Sequence, residues 1–319
     1  MSRNVRVASI SFSGVNKDFG ARETVRKNIE AMVKLLEEAY YEEADIVCFP
    51  EAAPVIGLPI DVAVTLAQPV PGPIFDIFSS KADEYNLSIV LPMLEIKDGR
   101  VYNSAVLIDR RGDYLGSYHK VHPTISEIEA GITPSLKPKV LKSEFGPLGF
   151  AICFDLNFRD VVEAIAAAEA KLIFFPSAYP GGLQLSIWAF DYGAYIVSSL
   201  RGEGSVIVDP LGRVLARSSS YNPIICKTLN LDYEILHLDY NYEKLSEVKR
   251  KYGSKVEIDV SRPEAVFILA SNLKEKSVRE IISEFNLETR TLYFARANKV
   301  RAEVLGKICV KGRSNSNCL

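Results

Sequence analysis

The chain has no surplus of either charge: 38 Lys and Arg stand against 40 Asp and Glu, a formal net charge of -2 over 319 residues. A general nucleic-acid binder needs excess cations to displace counterions from phosphates, so that class is excluded, although a local basic patch is not. Cysteine is scarce and odd in number, five residues at 48, 153, 226, 309 and 318 with no CxxC pair. A disulfide framework is therefore not expected, and a reducing cytoplasm is. The N-terminus lacks the continuous apolar region of a secretory signal. No apolar run approaches the ~20 residues that span a bilayer, so no membrane partner is expected. With only three histidines, the HxxH pair His119 and His122 has no evident third ligand, and a metal site there is disfavoured. No internal repeat or low-complexity segment is found. A chain this long buries about three quarters of its unfolded surface and needs no covalent staple; it allows one large domain or two.

What is present alternates between strand and helix patterns. Residues 4–12 set Val5, Val7, Ser9 and Ser11 against Arg6, Ala8, Ile10 and Phe12, a strand covered on both faces. Over residues 24–40, Val25, Ile29, Met32, Val33 and Leu36 form one apolar helical stripe opposite a charged face. A short β-rich run at 45–49 is cut by Pro50, and a helix opened by Pro73 leads to a strand at 87–94. A hairpin follows, turning at Arg110, Arg111 and Gly112. Residues 121–139 read as a long ordered loop. Next come a strand at 148–153, a helix at 158–170 and a strand at 171–175. βα units mixed with hairpins predict a layered α/β fold whose sheets hold parallel and antiparallel pairs. Beyond about residue 235 the composition shifts, and a mostly helical segment is expected, with helices at 275–285 and 288–304 and a loose tail from Gly312.

Among the cysteines, Cys153 closes the strand GFAIC and precedes a helix that Asn157 and Asp160 are placed to cap. A thiol just outside a helix N-terminus can have its pKa drawn from about 8.5 toward neutrality. Cys48, Cys226 and Cys309 lie in short apolar runs and read as packing; Cys318 reads as exposed tail. Residues 153–159 spell Cys, five residues, then Arg. The bulky Phe154, Leu156 and Phe158 and the acidic Asp155 oppose a phosphate cradle, which needs small residues and inward N–H groups. A Cys–His pair using His119, His122 or His237 has no local support. A third chemistry uses a carboxylate base and a lysine. Glu51 follows a buried strand in CFPEAAP, and Lys120 follows the strand DYLGSYH. Strand C-termini converge on one rim in layered α/β folds, so Glu51, Lys120 and Cys153 can meet there.

Three segments carry a resemblance: FPE at 49–51, YNSAVLIDRRGDYLGSYHKVH at 102–122, and GFAICFDLNFRD at 149–160. In this order they resemble the catalytic blocks of the carbon-nitrogen hydrolase, or nitrilase, superfamily, over roughly residues 4–235. The resemblance implies a four-layer αββα sandwich with two mixed β-sheets and a catalytic domain at 1–235; the segment 236–319 exceeds what the family core needs and is read as an extension whose role, wrapping a partner subunit or covering the pocket, stays open. It implies Glu51 as general base, Cys153 as nucleophile forming a thioester, and Lys120 with the backbone N–H of Phe154 as oxyanion donors. A second glutamate after the lysine is implied as well. Glu127 fits best by spacing, with Glu129 as the alternative. Tyr179, in PSAYPGG, lies where the family places a pocket wall.

The Cys-Phe-Asp pattern resembles the amidase and carbamoylase branches, whereas KVHPTISE resembles the nitrilase form. Two departures stand out: Arg159 where the family commonly has proline, and WAFDYGAYIVSS where an Arg-Ala-x-Glu-Asn-like helix is common. The expected activity is hydrolysis of a small amide. A nitrilase, an acyltransferase using the same thioester, and a catalytically silent scaffold subunit are the alternatives. No metal or organic cofactor is expected, and the partner implied is a second copy, as a homodimer or larger homo-oligomer.

Overall fold

The computed structural model describes residues 4–15 and 19–314, with side chains as far as 306. Two compact units divide the chain, Met1–Leu229 and Asn230–Leu319.

The first unit opens with β1 (Asn4–Ile10), α1 (Ala21–Tyr41), β2 (Ile46–Cys48), α2 (Ile60–Val64), α3 (Pro73–Tyr85) and β3 (Ser88–Lys97). The hairpin is β4 (Arg100–Ile108) and β5 (Tyr114–His119). Then come α4 (Ile125–Glu129), β6 (Leu141–Ser143), β7 (Gly146–Phe150), α5 (Arg159–Ala167), β8 (Leu172–Ser177), α6 (Leu183–Tyr192) and β9 (Tyr195–Leu200). It ends with β10 (Val206–Val208), β11 (Val214–Arg217) and β12 (Ile224–Asn230). These make two six-stranded sheets, ordered β12-β1-β2-β3-β4-β5 and β11-β10-β9-β8-β7-β6. In each, βα units pair in parallel (β1 with β2, β8 with β9) and hairpins pair antiparallel (β3 with β4, β6 with β7). Both sheets are mixed, as expected.

The layers follow from side-chain alternation. Ala8, Ile10, Val47, Ile89 and Leu91 pack with Met32 and Leu36 of α1 and Phe78 of α3 on the outer face of the first sheet. Ser9 and Ser11 point the other way, into the second sheet. Ser9 Oγ donates to the Ser198 carbonyl at 2.5 Å, and Ser11 Oγ lies 2.6 Å from Ser205 Oγ and 2.7 Å from Ser218 Oγ. Small hydroxyl side chains let the sheets approach here while still satisfying each other's polar groups, as buried hydroxyls require. On the second sheet, Gly149 lies so close to Ile165 of α5 that an added Cβ would fall 2.6 Å from its Cγ2. The result is helix, sheet, sheet, helix.

Two local expectations need correction. The segment 121–139 is not loop throughout, because α4 interrupts it, opened by a capping box in which Thr124 and Glu127 each bond the other's backbone N–H. The strand before Cys153 stops at Phe150, and residues 153–157 form a 3-10 turn.

The second unit has β13 (Tyr233–His237), α7 (Leu245–Tyr252), β14 (Val256–Ser261), β15 (Val266–Ser271), α8 (Val278–Glu284) and α9 (Arg290–Ser314). The expected helices are present, but so is an antiparallel sheet ordered β13-β15-β14. The mostly helical reading is therefore incomplete. β15, VFILAS, is buried along its whole length and so carries no alternation to reveal it. Leu236, Val248, Phe267, Leu269 and Ile281 form a core within this unit. Its last helix runs to Ser314, past Gly312, where a tail was expected to begin. The Cys309 side chain and Cys318 lie outside the described residues.

Candidate active site

Glu51 lies just past β2, Asn103 within β4, Lys120 directly after β5, Glu127 on α4 and Cys153 just past β7. Lys120 is the hub. Its Nζ donates to Glu51 Oε1 at 2.8 Å and to Glu127 Oε2 and Oε1 at 2.8 and 3.0 Å. Lys120 is 1% exposed and Glu51 3%, so water screens none of this. Asn103 Nδ2 spans the same two carboxylates, 2.9 Å from Glu51 Oε1 and 2.9 Å from Glu127 Oε1. Glu127 is further fixed by the Thr124 N–H at 2.7 Å and the Thr124 hydroxyl at 3.0 Å. Glu129, the alternative second glutamate, is exposed on the other side of α4.

Cys153 completes the cluster. Its thiol neighbours the Glu51 carboxyl, the Ser177 side chain and the Ala178 backbone. The residue is held at φ 50°, in the left-handed region that side chains with a Cβ rarely adopt. Phe154 follows it, half-exposed, at the start of the 3-10 turn. Tyr179 sits past the end of β8 with its ring edge-on to Phe175 at 6.1 Å. Its hydroxyl is buried and makes no hydrogen bond of ordinary geometry.

Electrostatics fix the resting protonation. Burial pushes the Glu51 carboxyl up, but the charges of Lys120 and Arg201, helped by the neighbouring Cys153 thiol, outweigh it, and its pKa is lowered below the ordinary range. Lys120 is pushed down by burial, and the two carboxylates more than reverse that. The Cys153 thiol goes the opposite way from the sequence expectation. Burial and the Glu51 charge lift it to about 11, against the smaller pull of Lys120. The helix-terminus reading fails because α5 starts only at Arg159 and its cap position, Phe158, offers no capping side chain. The resting site thus holds a thiol beside a carboxylate, ready for proton transfer rather than carrying a preformed thiolate.

Three residues that the sequence reading left unassigned to the site belong to it. Asn103 is one; a polar side chain inside an otherwise apolar strand was its signal. Asp155 is fully buried and accepts four bonds: from the Tyr118 hydroxyl at 2.7 Å and the N–H groups of Ile152, His122 and Val121 at 2.9, 2.8 and 3.2 Å. It thereby ties the segment before Cys153 to the segment after Lys120. The third is Arg201, whose Nε donates to the Glu51 carbonyl at 3.0 Å. The histidines stay outside the catalytic cluster: His119 pairs with Glu95, His122 with Asp160, and His237 belongs to the second unit.

The chain is 26% identical over 235 residues to the deaminated glutathione amidase of Mus musculus, covering 63% of this chain and 72% of that protein. With the omega-amidase NIT3 of Saccharomyces cerevisiae it shares 24% identity over 266 residues, 72% of this chain and 88% of the relative. Among solved structures, Saccharomyces cerevisiae Nit3, described as a member of the nitrilase superfamily, superposes with a TM-score of 0.63 at 21% identity over 72% of this chain and 91% of that one. An amidase from Nesterenkonia sp. gives 0.62 at 22% identity over 78% and 96%. The family model for carbon-nitrogen hydrolases matches residues 6–234. The chain belongs to the carbon-nitrogen hydrolase family.

Proposed function

We propose that the chain hydrolyses the carbon-nitrogen bond of a small-molecule amide through a thioester on Cys153. One observation carries this reading: a buried lysine is clamped between two carboxylates, with a cysteine thiol beside one of them. The amidase names of the relatives support an amide over a nitrile.

In the first half-reaction Glu51 takes the Cys153 proton as the sulfur attacks the carbonyl carbon. The developing oxyanion is met by Lys120 Nζ and the Phe154 N–H, donors fixed in a site that excludes most water. The tetrahedral intermediate collapses, the C–N bond breaks, and the leaving amine or ammonia takes the proton from Glu51. In the second half, Glu51 removes a proton from water, which attacks the thioester. The acid leaves and the sulfur recovers its proton. Glu127 and Asn103 hold Lys120 and Glu51 in register throughout. The free thiols among the described cysteines fit a reducing compartment. A homo-oligomer remains part of the proposal, read out by light scattering.

The test is mass spectrometry with a panel of small amides and their nitriles. Ammonia release and an acyl adduct on Cys153, both absent in Cys153→Ala, are expected. Equal release by Cys153→Ala, or no release from any substrate, overturns the hydrolase reading. Turnover of a nitrile whose amide is inert makes the chain a nitrilase.

A further inference from the structure

On the outer face of the first sheet, opposite to the catalytic cluster, lies a groove of about 370 Å³ that the hydrolytic reading does not use. Alternation along β4 explains the separation: Asn103 points to Lys120, whereas Tyr102 points away and stacks on His119 at 4.3 Å. The groove gathers Lys97, Arg100, Lys137 and Lys139, brought from the β3–β4 turn and the segment after α4. Among the described residues none of these four cations has a carboxylate partner. In a chain of net charge -2 such a cluster is not background composition. Like charges gathered around one concavity raise the local positive potential, which favours an anion there.

The floor beneath them is ordered. His119 Nε2 is 3.1 Å from Glu95 Oε2, and Glu95 is 2% exposed; Ser117, 3% exposed, lines the same groove with its Oγ 2.9 Å from the Tyr114 hydroxyl. Pro134 and Pro138 stiffen the wall, and the Ser135 N–H anchors it on the Lys120 carbonyl at 3.0 Å. The backbone and floor of the groove are thus fixed before binding, and ordering falls on the cationic side chains.

We infer that this groove binds a small polyanion, a molecule bearing two or more phosphate or carboxylate groups. Its volume lies at the low end of small-molecule sites, and the basic patch is confined to a concavity rather than drawn out as the stripe that a nucleic-acid strand needs. Lysines act as point charges for phosphate oxygens, and Arg100 adds a planar fork.

Isothermal titration of the full chain with inorganic tripolyphosphate tests this, with citrate as the carboxylate arm and a short oligoribonucleotide as control. Saturable one-to-one binding that weakens with salt is expected; the tighter of tripolyphosphate and citrate identifies the anionic group. The triple variant Lys97→Gln, Lys137→Gln, Lys139→Gln should bind about 10- to 100-fold more weakly. Hydrogen exchange on the unmodified chain should show residues 133–139 protected by the ligand, a readout independent of how the variant folds. No binding at millimolar ligand, unchanged affinity in a folded triple variant, or protection elsewhere only overturns the inference. So does an oligoribonucleotide that binds more tightly than both small anions.

Discussion

At the level of single residues, Glu51 and Cys153 are shifted in opposite directions. Glu51 is held below its ordinary range and Cys153 is lifted to about 11, so the pair rests as carboxylate and thiol across neutral pH. That form is the reactive one if Glu51 is the base. The kcat/KM profile should rise once, at acid pH as Glu51 loses its proton, and then stay flat through neutrality. An acid limb centred near neutral pH would contradict the assignment. Arg201 contributes to the lowering, so Arg201→Gln should raise the Glu51 pKa and move the acid limb to higher pH. Asp155 acts at one remove, since it touches neither thiol nor lysine but accepts bonds from residues flanking both. Asp155→Asn keeps the shape and turns one acceptor into a donor, leaving a buried N–H or O–H opposed. A loss of about 1–3 kcal/mol in chemical denaturation is expected, with kcat falling further than KM changes. A KM effect alone would assign Asp155 to substrate contact instead.

Among the secondary-structure elements, α4 has influence beyond its five residues. Its capping box and its catalytic contact share one carboxylate: Glu127 bonds both Thr124 and Lys120. Thr124→Ala should cost about 1 kcal/mol of stability and, by loosening Glu127, reduce turnover too. Unchanged turnover in thermally destabilised protein would separate the cap from the site. α4 also shows where reading the chain runs out. A single turn is too short for a 3.6-residue period to register, whereas the stripe of α1 from Val25 to Leu36 spans about three turns and the β4–β5 hairpin has alternation on both sides of a Gly-containing turn. Glu51, Lys120 and Cys153 were legible because each follows a strand pattern that a proline, histidine or polar turn cuts short. Asn103 and Asp155 were less so, because the partners that tie them into the site come from segments 24 to 52 residues away. Such pairings are set by sheet order, and sheet order is non-local.

For the molecule as a whole, each unit has its own core, which bears on how the chain unfolds. Phe267 is fully buried in the second unit, and Phe267→Ala should remove about 3–5 kcal/mol from that unit. Calorimetry should resolve two transitions, with only one displaced by this substitution. A single transition that moves as a whole would show that the units unfold as one.

The backbone at Cys153 has a consequence for selection. A residue with a Cβ pays about 1–2 kcal/mol to sit in the left-handed region, and glycine does not. Elsewhere alanine is the more stabilising of the two; at position 153 the order should invert, with Cys153→Gly melting above Cys153→Ala. In a library sorted for heat resistance alone, this position should fill with glycine while the scaffold improves. A stabilised descendant that still carries the thiol must have been sorted for turnover too.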